Sequence, residues 1–456
     1  MNRMHALLAT VALLLPAVAH AQSIVIPAPR QQTAVVLRHV DLRTCVAGAQ
    51  PITDGWIVFD RGQVLGLGAE PADAKLIPQD AQVIDAKGLV ATPGLWESAT
   101  TLGLIETTQV EATDDTREFG DFHPEIRAAT ATNPDSDLPP VARNAGVLMV
   151  HTFPEGGVLS GHASAMRLDG WTIADRTVRP DAGMVLRWPM MDVLPPSATQ
   201  KPADEQRKAR DRVLASIDRI FDQAEAYVRA RATDASLPVD TRFESMRGVL
   251  AGTESLLVEA AWPSQAQAAL QWCTRRGYRM TLVGGTAAAD LAPMLKERDV
   301  PVIVTGIHRL PLRERDAVDA PFTLPARLAA AGVRFSICTG GEPAHVRHLP
   351  AQCGTAVAYG LDRGRALEAV TRVAAELAGC ADRYGTLEVG KSATLVLFTG
   401  DPFELTSTVR RAWIDGGELD LSDRQKRMRL KYGEKELQRK PTQPPAPQAA
   451  PAAPVP

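Results

Sequence analysis

The chain has 456 residues, 45% of them hydrophobic and 23% charged, with a formal net charge of −3. That is material for a large core, and the near-neutral balance gives no global attraction to nucleic acid. Nothing in it reaches the ~18 uninterrupted apolar residues expected of a membrane-spanning helix, so no transmembrane segment is predicted.

Met1 to His5 is a short basic stretch, Ala6 to Val18 is apolar, and Ala19-His20-Ala21 has the small-residue pattern of a cleavage site. Residues 1–21 therefore read as a signal peptide, with a mature chain from about Gln22 that is periplasmic or secreted. An oxidising compartment draws attention to Cys45, Cys273, Cys338, Cys353 and Cys380. Widely spaced and odd in number, they read as small buried hydrophobes, with a single Cys338–Cys353 bridge as the alternative.

Residues 22–92 are β-rich. A strand is predicted at 35–40, a hairpin at 54–68 around Asp60-Arg61-Gly62, and another strand at 83–90. From 93 to 383 apolar runs alternate with amphipathic stretches. Strands are expected at 147–151, 255–260, 279–283, 300–305 and 333–338, and helices at 205–232, 264–276, 287–298, 324–331 and 363–377. Such alternation, without a dinucleotide-binding glycine fingerprint, predicts a parallel α/β barrel. The Gly- and Pro-rich stretch 153–200 reads as an elaborated loop region over one face. β character returns at 385–391, 393–398 and 409–415, so residues 384–420 are predicted to join 22–92 in one composite sandwich. In 421–456, a basic helix is expected over 423–440, and 441–456 is too rich in Pro, Ala and Gln to order itself.

Three marks, in order, carry a resemblance. They are Val83-Ile84-Asp85-Ala86-Lys87-Gly88 leading into Pro93-Gly94-Leu95, Asp319-Ala320-Pro321-Phe322, and Tyr384-Gly385-Thr386-Leu387-Glu388-Val389-Gly390-Lys391. Over roughly residues 33 to 420 the chain resembles the amidohydrolase superfamily, in particular its imidazolonepropionase-like branch. The resemblance implies a distorted TIM (β/α)8 barrel with a small β-sandwich formed from both chain ends. It also implies one or two divalent metals at the barrel mouth, which activate water for attack on a carbonyl-like carbon.

The metal-binding pattern is where this chain departs from that family. The family's first strand carries His-x-His, and here those positions hold Ala99 and Thr101. Glu259 stands where a further His is expected, and Gly340-Gly341 where the last strand should supply an Asp. A methyl group cannot ligate a cation, and a lone hydroxyl is a poor replacement for imidazole at a zinc site. The ancestral zinc or other divalent metal is therefore expected to be lost, with no cofactor in its place.

Glu97, Glu106, Glu259, Glu342, His345 and His348 are the candidate ligand-binding residues. The last three are spaced i, i+3, i+6, which lays them along one helical face. The acidic loop from Glu106 to Asp121 reads as a cation-binding rim or as a solvated loop. His123, His151 and His162 are further candidates, and Ser160 lacks the surroundings of a nucleophile elbow.

Three functions follow as expectations. The first is a metal-site-deficient relative of the hydrolases that binds a small or peptide-like ligand, or pairs with itself or an intact relative. The second is an active amidohydrolase acting on a cyclic amide or peptide-like bond through an unconventional site. The third is an envelope interaction protein acting through the basic residues from Arg424 to Lys440.

Overall fold

The computed structural model describes residues 25–285, 288–340 and 342–438. The expected signal peptide, Gly341, and the expected disordered tail 441–456 lie outside the described residues, as do Arg439 and Lys440 of the basic run.

The N-terminal strands are β1 (Val35–Leu42), β2 (Ile52–Asp60), β3 (Gln63–Ala69), β4 (Gln82–Asp85) and β5 (Val90–Pro93). The middle of the chain supplies β6 (Leu95–Thr100), β7 (Val147–Thr152), β8 (Leu159–His162), β9 (Ser164–Arg167), β10 (Thr177–Arg179) and β11 (Met184–Arg187). Then come β12 (Leu256–Ala260), β13 (Met280–Gly284), β14 (Val302–Thr305) and β15 (Phe335–Cys338). The last three are β16 (Leu395–Phe398), β17 (Val409–Ile414) and β18 (Gly417–Glu418).

One eight-stranded sheet combines the two ends of the chain, in the order β18-β17-β16-β5-β1-β2-β3, with β4 also paired to β1. The join is β16 against β5, antiparallel, with Leu395 opposite Pro93 and Phe398 opposite Val90. One apolar cluster takes Leu37, Ile57 and Phe59 from the first end and Leu395, Leu397 and Trp413 from the second. Phe59 and Trp413 meet edge to face at 5.6 Å. The β2–β3 hairpin turns through Arg61 and Gly62, both at positive φ (48° and 82°), as a right-twisted two-residue turn demands. Residues 385–391, expected as a strand, instead form turns; Leu387 N donates to the Thr44 carbonyl and Gly390 N to that of Val64.

Two further sheets run β10-β9-β7-β6 and β15-β14-β13-β12-β11-β8. Strands β11 to β15 are all parallel neighbours, as the alternation predicts. The segment 153–200 differs from its expected loop character. It contributes β8 to β11, and β8 and β9 run antiparallel to their neighbours β11 and β7. These strands are three or four residues long and punctuated by Gly161, Gly170 and Gly183, all at positive φ, which hides them from a periodicity count.

Ala163 alone separates β8 from β9, so the two sheets pass into each other there. At their other edges β6 lies beside β15, where Thr339 N and Oγ1 reach Glu97 Oε1 at 2.7 and 2.8 Å. A packed layer fills the interior, drawn from Ala99 on β6, Val185 on β11, Leu257 on β12, Val283 on β13, Ile303 on β14 and Cys338 on β15.

Helices cover the outside. The long one, Ala203–Thr233, buries Ile217, Ile220, Phe221 and Ala224, an i, i+3, i+4, i+7 stripe. Phe221 meets Trp272 of helix Pro263–Arg276 at 5.0 Å. The single helix expected over 363–377 is split into Arg363–Ala369 and Arg372–Leu377. The break has a tertiary cause: the Val370 carbonyl accepts from Trp96 N on β6 at 2.8 Å instead of from the next helical turn.

All five cysteines are free, so the Cys338–Cys353 bridge is corrected: both thiols are buried and unpaired. Burial pushes the Cys45 and Cys273 thiols up to about 12, away from the reactive thiolate form. Titration of the native, reduced protein with Ellman's reagent should therefore find at most one readily reacting thiol, Cys45, and five after denaturation. Rapid reaction of two or more in the native state would contradict this packing.

Candidate functional site

Strand periodicity places alternate residues of β6 and β12 towards the interior, and their C-terminal ends form a cleft of about 310 Å³. Ala99, Thr101, Glu259 and Gly340 all line it. Four positions that the sequence singles out, from three strands up to 241 residues apart, thus converge in one place; Gly341 lies outside the described residues.

Glu259 faces Arg187 of β11, with Nε 2.7 Å from Oε2, an ion pair whose side chains keep 35% and 30% exposure. Burial raises the Glu259 pKa, Arg187 opposes the rise and Glu155 adds to it. Gly340 sits at φ +62°, and a Cβ built on it would lie 2.9 Å from Gly306 N. An Asp does not fit at that position without moving the β14 loop. Among the described residues no group of three or more His, Cys, Asp or Glu side chains is arranged to hold a metal ion.

Sequence reasoning missed several residues of the cleft. Glu155, Thr305, His308, Arg309 and Thr339 line it, and His308 Nε2 lies 2.7 Å from Thr355 Oγ1. Gln352 supports the mouth from behind, accepting from Ile307 N at 2.7 Å and donating to the Thr339 carbonyl at 3.2 Å. Their only sequence signal is a position just after a predicted strand, where such folds gather functional groups.

Glu97 lies within the fold and does not line the cleft. It is fully buried; burial pushes its carboxyl up to about 8 against the opposing bonds from Thr339, and Oε2 has no partner. Glu106 is tied to Asn133 and Ser136 at 3.2 and 2.9 Å. His345 and His348 lie on a 3-10 helix (Pro343–His348), with Glu342 at its N-cap position and no side-chain bond from it to the helix. All three are exposed, and His345 stacks on His348 at 5.4 Å.

The remaining candidates sit elsewhere. His151 is buried against Phe153 and its pKa falls to about 3 through burial. His162 pairs with Glu254 at 2.7 Å. His123 is outside the cleft lining, and Ser160 donates to the Gly156 carbonyl at 2.6 Å. Asp114 of the acidic loop is occupied by Thr116.

The model for the amidohydrolase family matches residues 265–419, from the helix after β12 to the last strand of the composite sheet. Over that stretch, about a third of its length, the chain is similar to the amidohydrolase family. Amidohydrolase tasK of Hapsidospora irregularis is 20% identical over 397 residues, covering 79% of this chain and 39% of its own length. This chain therefore spans well under half of that curated relative. Among solved structures, an amidohydrolase from Thermotoga maritima MSB8 is 22% identical with a TM-score of 0.74, over 85% of this chain and 99% of the other. A prolidase complexed with N-methylphosphonate-L-proline is 17% identical with a TM-score of 0.52, covering 85% and 100%. At these identities the two structures speak for the amidohydrolase fold alone.

Proposed function

We propose that this amidohydrolase relative is a metal-site-deficient member of the imidazolonepropionase-like branch, built as a distorted (β/α)8 barrel with a terminal β-sandwich. Its cleft binds a small or peptide-like ligand without hydrolysing it by metal-activated water. The observation that carries the reading is Gly340: where the superfamily pattern expects a metal-binding Asp, the backbone is left-handed and closed against Gly306 N. Ala99 and Thr101 in the same cleft supply no imidazole, and Glu259, one of the two carboxylates that line it, is already paired with Arg187. These residues do not fit a resident divalent metal.

The arrangement suits binding. Glu259, paired with Arg187, offers an acceptor, Thr101, Thr305 and Thr339 add neutral polar groups, and Phe153 and Val283 supply apolar contact. The ligand class rests on this mix and on the ancestry of the fold.

Metal analysis of untagged protein is the direct test. After dialysis against a chelator, zinc and manganese are expected well below stoichiometric amounts. Ala99→His with Thr101→His should not restore tight metal binding, because Gly340 and Glu259 still depart from the pattern. Near-stoichiometric metal that survives the chelator would overturn the reading.

A further inference from the structure

At the end of the strands opposite the cleft, the residues entering β7 and leaving β9 enclose a second recess of about 240 Å³. Two guanidiniums, Arg143 and Arg176, and two carboxylates, Asp135 and Asp169, line it. Arg143 closes helix Leu138–Arg143 and is 3% exposed. Its Nη1 lies 2.5 Å from Asp169 Oδ1, while its Nε meets no acceptor.

The other oxygen of Asp169 accepts from Ala28 N at 2.9 Å, so both carboxylate oxygens are engaged. Arg176 donates through Nε to the Gly170 carbonyl at 3.1 Å, and no carboxylate lies within ion-pair distance of it among the described residues. Asp175 beside it is engaged by Thr172 in a capping box, and Asp135 stands exposed at the rim. Burial and the neighbouring Arg143 lower Arg176 to about 10, and an anion between the two would oppose both causes.

The walls are of another kind. Pro139, Pro140 and Leu168 are apolar, and Trp171 stands at the rim, 67% exposed. A buried guanidinium is costly unless its donors are satisfied, and its planar fork matches a carboxylate edge to edge. We infer that this recess is a binding site for a small carboxylate carried on an apolar body, held between Arg143 and Arg176 and covered by Trp171. It is separate from the cleft and independent of whether the cleft holds a metal.

Titration of the full chain with benzoate, followed by calorimetry, tests the assignment, with neutral benzamide and inorganic phosphate as comparisons. Saturable benzoate binding is expected, at least tenfold tighter than either comparison. Arg176→Gln should weaken it at least tenfold, and Arg176→Lys should recover only part, because the charge returns without the fork. Trp171→Ala, at an exposed position where folding is not at stake, should weaken benzoate several-fold. Absence of saturable benzoate binding, affinity unchanged in Arg176→Gln and Trp171→Ala, or phosphate binding as tight as benzoate would each overturn the assignment.

Discussion

Glu97→Gln is expected to make the protein more stable than the parent at pH 8.5 while leaving it no better off at pH 4.5. In the parent, the carboxyl is fully buried, and burial moves it from its ordinary 4.5 to about 8. The folded state therefore keeps a proton that the unfolded chain has released. Between about pH 4.5 and 8 the folded protein binds more protons than the unfolded one, and stability falls as pH rises; above about 8 both forms are ionised and the slope ends. Across that window the loss is roughly 5 kcal/mol.

Glutamine keeps an oxygen for the Thr339 N–H and hydroxyl and has no charge to bury, so the variant lacks this slope. His151, lowered to about 3 by burial, contributes in the opposite sense below its ordinary 6.5 and is common to both proteins. Urea unfolding of parent and variant at pH 4.5 and 8.5 isolates the Glu97 contribution. Equal pH slopes in the two proteins would mean that the carboxyl titrates normally.

Asp415→Ala should cost about 3 to 5 kcal/mol, because it strips a partly buried hub of its acceptor and leaves the Arg167 guanidinium without its carboxylate. Asp415 sits in the turn between β17 and β18. It accepts from Ser392 Oγ at 2.6 Å, from the Tyr384 hydroxyl at 3.1 Å, and from Arg167 Nη1 on β9 at 2.6 Å. The last bond fastens the composite sheet to a strand of the α/β body, across 248 residues of sequence. Arg167→Ala combined with Asp415→Ala should show coupling of about 1 to 3 kcal/mol in a double-mutant cycle. Asp415→Asn should lose less than Asp415→Ala, because its carbonyl still accepts from Ser392 or Tyr384. Additive losses would show that the two bodies are held together by other contacts.

Much of this architecture follows from the sequence itself. The apolar run 255–260 marks a strand, and that Ala99, Thr101 and Glu259 are not histidines is legible with no structure at all. The β-rich ends and the alternation between them are local properties of each segment, carried by its own side chains. Tertiary structure decided the rest. That β8 and β9 run against their neighbours, that Val370 gives its carbonyl to Trp96, and that Glu97 closes onto Thr339 depend on partners brought close only by folding. The same holds for the site: Arg187 neutralises Glu259, and Gly306 closes off Gly340. A hydrophobic period specifies which face of a strand is buried. It carries no record of which side chain on another strand will stand opposite, because that choice is made by the packing of the whole chain.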